Sequence, residues 1–338
     1  MKKTAFIIFT AILFCSCSSW GHQRYSAFCG GLFDTEINIT AYARSPADFQ
    51  QGKDAVIAVI EKDAMLFDIY NSYEGVNNLK TVNDNAGRAP VKADPAILDL
   101  MELSVDFYRE TSGAVNIGLG AVFGIWREYR LEGEKLPPMD ELMAAAWDDF
   151  PEGLIIDREA GTIFIQNAGH SLDAGAIAKG FTAMRAMEAA KAAGLSSVLI
   201  DMGGDVFAHG KPMDGRDSWA VGIQSPDLEG GGQNLLGTVY VNDMAVASSG
   251  AYRRYYTVDG TRYHHIIDPA TLLPADIFSH VTVMHANAAL ADAYATALFI
   301  LPLDEGKALI ERAGGEALWV SIDGEIEVTG GLAAGFRF

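Results

Sequence analysis

The chain has 338 residues, of which 49% are hydrophobic and 20% charged, a composition typical of a globular protein with a substantial core. Its formal net charge of −19 argues against nucleic acid or an anionic membrane surface as the ligand, because both would be repelled. A phosphorylated small molecule is not excluded, because a local site can be positive or metal-bridged. All three cysteines lie in the first 29 residues, so the rest of the chain carries neither a disulfide framework nor a cysteine metal site.

The N-terminus has the pattern of an export signal. Two lysines precede the apolar run 5–14, which is too short to span a bilayer and has the length of a signal-peptide core. A small residue precedes Cys17, as in bacterial lipoprotein signals in which that cysteine is acylated. An ordinary cleaved signal without a lipid is the alternative. We expect a signal peptide at 1–16, a lipidated tether at 17–30 and an exported protein anchored on the periplasmic face of a bacterial membrane.

The first half of the remaining chain has clear helix signals. Residues 33–43 alternate well enough to form a strand, and a Ser-Pro start with an acidic first turn predicts a helix from 46 to about 70. The Asn-rich stretch 73–87 is predicted to be a loop, and a second capped helix spans 94–113. The stretch 116–126 is apolar with three glycines, so we expect a close backbone approach there.

The second half mixes strands and helices. Strands are predicted at 154–156, 162–165, 197–200, 218–223, 236–241, 281–284, 318–322 and 325–328. Helices are predicted at 139–147, 171–193, 286–301 and 304–313. The elements do not alternate strictly, which favours the α+β class, and no linker or repeat follows residue 30. We therefore expect one compact domain over 31–338.

The densest group of polar and aromatic side chains lies at 247–269. An Asp-Gly pair separates two runs rich in aromatic and β-branched residues, 252–258 and 262–267, and predicts a β-hairpin. Both strands carry groups that donate, accept or titrate, among them His264 and His265. An exposed polar hairpin without a catalytic role is the alternative interpretation.

A carboxylate interrupts the apolar helix predicted at 286–301. Asp292 and Thr296 are four residues apart and therefore share one helical face. A buried carboxylate is costly unless it is paired or bound to a cation, and a carboxylate beside a hydroxyl suits Mg²⁺ rather than Zn²⁺. The alternative is that Asp292 caps a neighbouring backbone turn.

Two glycine-containing stretches lie beside predicted elements. Residues 173–180 form a Gly/Ala-rich helix start with Asp173 before it and Lys179 in its first turns, and exposed amides at a helix start favour anions. Residues 202–205 place a double-glycine turn at a strand end, a common ligand edge. Helix-on-sheet packing would explain the first stretch equally well, and the second is as often just a turn.

Taken together, in this order and spacing, the segments 173–180, 202–205, 249–268 and 291–297 resemble the ApbE family of FAD:protein FMN transferases. They match the family's D-x-G-x-x-A-K-G helix start, its M-G-G-D/N turn, its S-G-x-Y-x-R-Y-Y hairpin followed by H-x-I-D-P, and its A-D-A-x-x-T-A helix. Chance agreement of four co-linear motifs is improbable.

The resemblance covers roughly residues 30–335 and includes two looser matches. Residues 33–35 stand where many members have Met-Gly-Thr, and 118–120 where many have Gly-Pro-Leu. The resemblance implies a single α+β domain of the T-fold-like kind, with mixed or antiparallel sheets and packed helices. It also implies FAD as the donor substrate and Mg²⁺ held near its pyrophosphate.

By motif position, the resemblance assigns roles to individual residues. Asp292, Thr296 and the backbone carbonyl of Ala176 would hold Mg²⁺. His265 is the histidine of H-x-I-D-P and would be the catalytic base, whereas His264 stands where some members carry Ser. Contacts with the dinucleotide fall on Phe33, Gly118, Leu119, Asp173, Lys179 and Ile267.

The implied reaction transfers FMN from FAD to a Thr or Ser hydroxyl of an acceptor flavoprotein through a phosphoester bond and releases AMP. Mg²⁺ would neutralise the pyrophosphate, and a histidine is the natural base for the attacking hydroxyl. The acceptor would be an exported or membrane-anchored protein, such as a subunit of a redox-driven ion pump. The alternatives are a Mg²⁺-dependent FAD pyrophosphatase giving FMN and AMP, and a non-catalytic FAD-binding lipoprotein. The presence of both His265 and the Asp292/Thr296 pair argues against simple binding.

Overall fold

The computed structural model describes residues 21–226 and 234–337. Within these ranges the helices are α1 (Pro46–Leu66), α2 (Leu79–Asp84), α3 (Pro95–Glu110), α4 (Gly120–Glu132), α5 (Met139–Ala145), α6 (Ala178–Ala192), α7 (Ala288–Ile300), α8 (Leu303–Ala313) and α9 (Gly330–Gly335). The strands are β1 (Gln23–Leu32), β2 (Thr35–Ala43), β3 (Val91–Lys92), β4 (Leu154–Asp157), β5 (Thr162–Ile165), β6 (Val198–Met202), β7 (Asp205–His209), β8 (Trp219–Gln224), β9 (Leu235–Val241), β10 (Ala245–Gly250), β11 (Tyr255–Val258), β12 (Thr261–His264), β13 (Phe278–His285), β14 (Glu316–Ser321) and β15 (Ile326–Val328).

A large antiparallel sheet is the centre of the fold and confirms the α+β prediction. Its strand order is β1-β2-β6-β7-β10-β13-β14-β15. Helix α6 packs against α1 and against α7, and α7 lies on β10 and β13. Side chains of the β8–β9 pair share a buried apolar cluster with the opposite face, so the sheet is covered on both sides.

A smaller apolar cluster joins α4 to the β11–β12 hairpin. The Trp126 ring of α4 stacks on Tyr263 and meets Tyr256 edge-on, both with ring centroids 6.4 Å apart. The hairpin turns at Asp259 and Gly260, whose φ angles of 49° and 80° are the left-handed pair that such a turn requires. The predicted Asp-Gly hairpin is therefore confirmed, and it is anchored on a helix remote in sequence.

Several helices and strands begin or end at other residues than the sequence predicts. Residues 23–32 form β1, which pairs with β2 and buries Tyr25 and Cys29, so the predicted tether 17–30 ends too late. Helix α2 lies inside the predicted loop 73–87, because Asn78 forms a capping box with Thr81.

Further elements differ from the sequence expectations. The helix predicted at 171–193 begins only at Ala178, after an irregular turn. Helix α4 forms where only a close backbone approach was expected. Strands β7 and β10 were not predicted, although both lie inside the main sheet.

The export prediction concerns a part of the chain that the structure does not describe. The predicted signal peptide at 1–16 and the lipidation site at Cys17 lie outside the described residues. Within the described ranges, no helix combines the length and the apolar character that a membrane span requires.

We expect Gly180→Ala to destabilise the fold. A Cβ atom at Gly180 would collide with the Ala288 carbonyl and lie 2.6 Å from the Cβ of Asp292, so α6 and α7 would have to separate. Overpacking of this kind costs about 1–3 kcal/mol. The matched control is Gly124→Ala in α4, where an added Cβ would have no atom from beyond its own stretch of helix within 4 Å. This change should be neutral or stabilise the protein by up to about 1 kcal/mol. Urea denaturation of both variants measures the difference, and equal stabilities would contradict the close helix contact.

We expect the free energy of unfolding to decrease as the pH falls, because His280 is buried without a charge. This ring is fully buried in β13 with its Nε2 2.7 Å from the Thr282 hydroxyl, and burial followed by the Arg253 charge lowers its pKa to about 4. The unfolded chain, with a histidine pKa near 6.5, binds more protons between these values. The stability conferred by His280 is therefore complete above pH 6.5 and is lost towards pH 4.

Denaturation at about pH 7 and pH 4.5 tests this contribution, which is at most about 3 kcal/mol. His280→Gln should reduce the acid sensitivity relative to the wild type, because the titrating ring is removed. An unchanged pH dependence in this variant would show that His280 is not the titrating group.

Candidate active site

Two buried carboxylates share one lysine at the junction of α6, α7 and the main sheet. The Nζ of Lys179 donates to Asp205 at 2.6 Å and to Asp292 at 3.1 Å. Both carboxylate side chains are only 8% exposed. Burial lowers the pKa of Lys179, but the two carboxylates outweigh it and hold the amine protonated. For Asp292, burial raises the pKa, Lys179 opposes the shift, and Asp205 adds to it.

Neighbouring backbone groups complete this cluster. Asp205 begins β7 directly after the double-glycine turn, and its other oxygen accepts the Ser248 N–H of β10 at 2.9 Å. Gly180 donates its N–H to the second oxygen of Asp292 at 2.7 Å. Glycine at position 180 lets α6 and α7 approach closely. The Asp292 carboxylate of α7 therefore caps the first turn of α6.

The three candidate Mg²⁺ ligands fit a hard cation. Gly180 donates to Asp292 instead of closing a turn onto the Ala176 carbonyl, and that carbonyl accepts no backbone hydrogen bond in the described part of the chain. Thr296 lies one turn after Asp292 on α7, with its hydroxyl 3.4 Å from that of Ser249. A carboxylate, a hydroxyl and an unused carbonyl are the oxygen ligands that Mg²⁺ accepts. The excess of carboxylates over lysine at this point also favours a cation.

The two adjacent histidines have different environments. His264 is buried, its Nε2 donates to the Ala275 carbonyl at 2.7 Å, and its Nδ1 accepts the Ile266 N–H at 3.2 Å. Both of its nitrogens are therefore used in holding the hairpin. His265 has a buried Nδ1 without a hydrogen-bond partner among the described residues. Burial lowers the pKa of His265 to about 3, and the charge of Arg254 contributes further, so the ring is neutral at pH 7.

Three arginines lie around His265 and Asp173. Arg254 follows β10 and acts electrostatically on both groups, while Arg127 acts on Asp173 and Arg130 on His265. Burial, followed by the charges of Arg254 and Arg127, lowers the pKa of Arg130. No ion pair joins any of these arginines to a carboxylate within the described ranges.

The predicted cofactor contacts include two polar side chains near these groups. Lys179 belongs to the carboxylate cluster, whereas Asp173 lies nearer the arginines and accepts the Gly175 N–H at 2.8 Å. Leu119 and Ile267 are buried in the α4–hairpin cluster, so their side chains contact protein. The cofactor roles of these residues stay predictions.

The other two predicted contacts are backbone features. Phe33 has a φ of 51° in the β1–β2 turn, where Asp34 is also left-handed. Gly118 packs against Phe150, because a Cβ there would collide with that ring. No structural feature assigns either position to a flavin, and their roles also stay predictions.

Two adjoining cavities open beside the double-glycine turn. The larger, of about 660 Å³, is lined by Asp34, Asp201 and Arg253 among others. The smaller, of about 360 Å³, reaches Asp205 and Ser248 and therefore borders the lysine cluster. Arg253 lines both cavities and donates to the Gly203 carbonyl at 2.7 Å. Volumes of this size suit part of a dinucleotide.

The sequence patterns assign no role to Asp205 or to the α4 arginines. Asp205 could have been identified as an acidic residue at the start of an otherwise buried strand, β7. Arg127 and Arg130 are separated from Arg254 by more than a hundred residues, so no local pattern brings them together.

Comparisons with known proteins agree with this geometry. The sequence model of the ApbE family matches residues 33–319. A FAD:protein FMN transferase of Treponema pallidum is 33% identical over 336 residues, covering 94% of this chain and 90% of that protein. Another from Klebsiella pneumoniae is 30% identical over 247 residues, covering 72% and 75%. The crystal structure of the ApbE protein of Thermotoga maritima matches with a TM-score of 0.83 at 25% identity, covering 94% of this chain and all of that one. The chain therefore belongs to the ApbE family and is an enzyme of the transferase class.

Proposed function

We propose that this enzyme transfers FMN from FAD to a Thr or Ser hydroxyl of an acceptor protein and releases AMP. His265 is the general base, Asp292, Thr296 and the Ala176 carbonyl hold Mg²⁺, and Lys179 stands beside the pyrophosphate. The names of the Treponema and Klebsiella relatives support the donor and the protein acceptor. The smaller cavity, which reaches Asp205, supports a site for part of a dinucleotide.

The observation that carries the proposal is the contrast between the two histidines. His264 uses both ring nitrogens within the protein, whereas the Nδ1 of His265 has no hydrogen-bond partner in the described part of the chain. A neutral imidazole with a free lone pair can accept a proton from an attacking hydroxyl. Burial keeps this nitrogen unprotonated at neutral pH.

The bonds and charges of the transfer balance. The acceptor hydroxyl oxygen bonds to the phosphorus of the FMN portion, its proton passes to His265, and the bond from that phosphorus to the oxygen of the AMP phosphate breaks. AMP leaves with the electron pair of that bond. The protonated Lys179 stabilises negative charge on the pyrophosphate, and Asp205 holds its ammonium in place.

The residues that fit Mg²⁺ complete the electrostatic environment. When bound, Mg²⁺ would neutralise the pyrophosphate and lower the barrier to departure of AMP. Asp292 would carry the charge that attracts it. The Gly180 N–H and Lys179 hold the Asp292 carboxylate in one orientation within α7.

We propose that the reaction takes place outside the cytoplasm, with the enzyme anchored through a lipid on Cys17. The basic start and the apolar run 5–14 support export, and the small residue before Cys17 supports acylation. The acceptor would then be an exported or membrane-anchored flavoprotein, such as a subunit of a redox-driven ion pump.

The decisive test is incubation of the soluble chain from Ser18 onward, without the predicted signal and Cys17, with FAD and Mg²⁺. One arm contains an acceptor domain carrying a Thr in an Asp-led motif, and the other omits it. Flavin that stays on the denatured acceptor, with AMP released only when the acceptor is present, supports the transferase. Free FMN and AMP without an acceptor would make the enzyme a pyrophosphatase. Intact bound FAD in both arms would make it a carrier.

His265→Ala should reduce transfer by about a hundredfold or more and leave FAD binding largely intact, because only the proton acceptor is lost. The neighbouring variant His264→Ala should instead lower the thermal midpoint, since it removes two buried hydrogen bonds. Single-turnover rates and FAD titrations separate the two effects. A transfer rate that His265→Ala does not change would exclude His265 as the base.

Asp292→Ala should abolish Mg²⁺-dependent transfer, with partial recovery at higher Mg²⁺. Asp205→Asn is the matched control, because Asp205 binds the same lysine but is outside the candidate ligand set. It removes the same unit of charge without removing a candidate ligand, so it should raise the required Mg²⁺ concentration less than Asp292→Ala does. Calorimetric titration of Mg²⁺ in the presence of FAD gives a second readout, and equal Mg²⁺ affinities in the two variants would contradict coordination by Asp292.

A further inference from the structure

Four polar side chains form a continuous chain of hydrogen bonds on the main sheet, which we call the hydroxyl relay. The Tyr252 hydroxyl lies 3.3 Å from Nδ1 of His280, and Nε2 of the same ring lies 2.7 Å from the Thr282 hydroxyl. The Thr282 hydroxyl in turn lies 2.8 Å from the Ser248 hydroxyl. His280 and Thr282 are fully buried, whereas the two end residues, Tyr252 and Ser248, both line the smaller cavity.

Strand register explains why these side chains meet. In the antiparallel pair of β10 and β13, Ser248 lies opposite Thr282, and Gly250 lies opposite His280. Residues two apart on a strand share a face, so all four positions lie on the same side of the main sheet. That side is the one covered by the β8–β9 pair, and the candidate Mg²⁺ ligands of α7 lie on the other side.

Both ends of the relay are held in place by the fold. A Cβ atom at Gly250 would collide with the Tyr252 ring, so glycine leaves the space that this ring occupies. The ring packs on His280 with the two centroids 6.0 Å apart and the planes at 27°. At the other end, the Ser248 N–H donates to Asp205 at 2.9 Å. The end hydroxyls therefore need little further ordering when a ligand binds.

The number of hydrogens limits how the relay can be arranged. Each of the three hydroxyls carries one hydrogen, and a neutral His280 carries one N–H and one nitrogen that accepts. Burial, followed by the Arg253 charge, lowers the pKa of His280 to about 4, so the ring is neutral at pH 7. The three bonds use three of the four hydrogens. The fourth lies at one end of the relay, because a polar hydrogen without a partner in the buried middle would be costly.

Each tautomer of His280 places the fourth hydrogen at a different end. With the ring hydrogen on Nδ1, every bond points towards Tyr252, whose hydroxyl keeps its hydrogen for a partner outside the relay, and Ser248 can only accept. With the hydrogen on Nε2, every bond points towards Ser248, which becomes the donor, and Tyr252 can only accept. Neither end hydroxyl has a further hydrogen-bond partner within residues 21–226 and 234–337. The relay therefore offers the cavity one donor and one acceptor, never two donors.

We propose that the hydroxyl relay makes the smaller cavity selective for a ligand edge that carries one donor beside one acceptor. Tyr252 and Ser248 contact the ligand, and His280 and Thr282 are positioning residues that determine which hydroxyl donates. Heteroaromatic rings with an N–H group next to a carbonyl or a ring nitrogen have such an edge. Both rings of FAD belong to this class, and the inference rests on FAD as the proposed substrate.

The walls of the cavity fit a planar ring better than a phosphate. Val221 and Ile223 of β8 and Val246 of β10 line it with apolar atoms. A phosphate offers acceptors only, so the single donor of the relay would satisfy it poorly. The volume of about 360 Å³ suits one end of a dinucleotide.

The test measures the coupling between the two ends of the relay. Tyr252→Phe and Ser248→Ala each remove one end hydroxyl, and they are made singly and together in the wild type and in Thr282→Val, which cuts the relay between them. Tyr42→Phe is the matched control, because its hydroxyl contacts Asp214 and its ring packs in the same layer without lining the cavity. Calorimetric titration with FAD, without Mg²⁺ so that no transfer occurs, gives the affinities, and AMP and FMN are separate probes.

We expect each single end variant to weaken FAD binding about tenfold, and Tyr42→Phe to leave it unchanged. The loss of either end also releases the orientation of the other, so the double variant should lose several-fold less than the product of the two single losses. In Thr282→Val the two losses should multiply, because the ends no longer communicate. Whichever of AMP and FMN shows the same coupling identifies the ring that occupies the cavity.

The His280 ring gives a second readout that does not depend on the stability of the relay variants. Nitrogen NMR distinguishes the two tautomers, and the signals of this ring are those that disappear in His280→Gln. FAD should move the ring to one tautomer, whereas a ring with a purely structural role would not respond.

Three results would overturn the proposal: losses that multiply in both backgrounds, a tautomer that FAD does not change, or coupling with neither AMP nor FMN. Transfer of FMN by an enzyme with uncoupled end variants would refute the relay and keep the transferase. Coupled binding of FAD by an enzyme that transfers no FMN would keep the relay and refute the transferase.

Discussion

The shared ammonium of Lys179 is the interaction on which the rest of the site depends. Two carboxylates buried together repel each other and are costly to desolvate, so they persist only with a cation between them. Lys179 supplies one positive charge to Asp205 and Asp292, which leaves one negative charge in excess. The Gly180 N–H donates to Asp292 but carries no net charge, so it offsets only part of that excess. The cluster is thus stable enough to fold and retains an attraction for a further cation.

This cluster also fixes three elements that are far apart in the chain. Lys179 begins α6, Asp205 begins β7 and Asp292 lies in α7, so the ion pairs hold both helices on the sheet at one point. Strand β10 contributes two contacts. The Ser248 N–H donates to Asp205, and the Ser249 hydroxyl lies 3.4 Å from the Thr296 hydroxyl. The elements that provide candidate metal ligands are therefore the same ones that form the centre of the fold. A change that separates α6 from α7 disturbs packing and chemistry together.

The sequence predicted elements whose signals are local. The Ser45 cap and the Asp259-Gly260 turn act within a few residues, and both form as expected. The late start of α6 was not predictable, because Gly180 donates to Asp292, 112 residues away. The turn that joins β1 to β2 uses Phe33 and Asp34 in left-handed conformations, so no glycine-based turn signal marks the hairpin of β1 and β2. Asp292 and His265 were predicted from motif position, whereas their partners required the fold.

The arrangement bears on the choice between transfer and hydrolysis. A histidine whose pKa is held near 3 is a weak base, so it would activate a stray water poorly even when FAD is bound. Burial is the largest cause of this low pKa, and the charges of Arg254 and Arg130 add to it. A hydroxyl that an acceptor protein holds against Nδ1 is a better reactant for so weak a base than a mobile water, because its position is fixed.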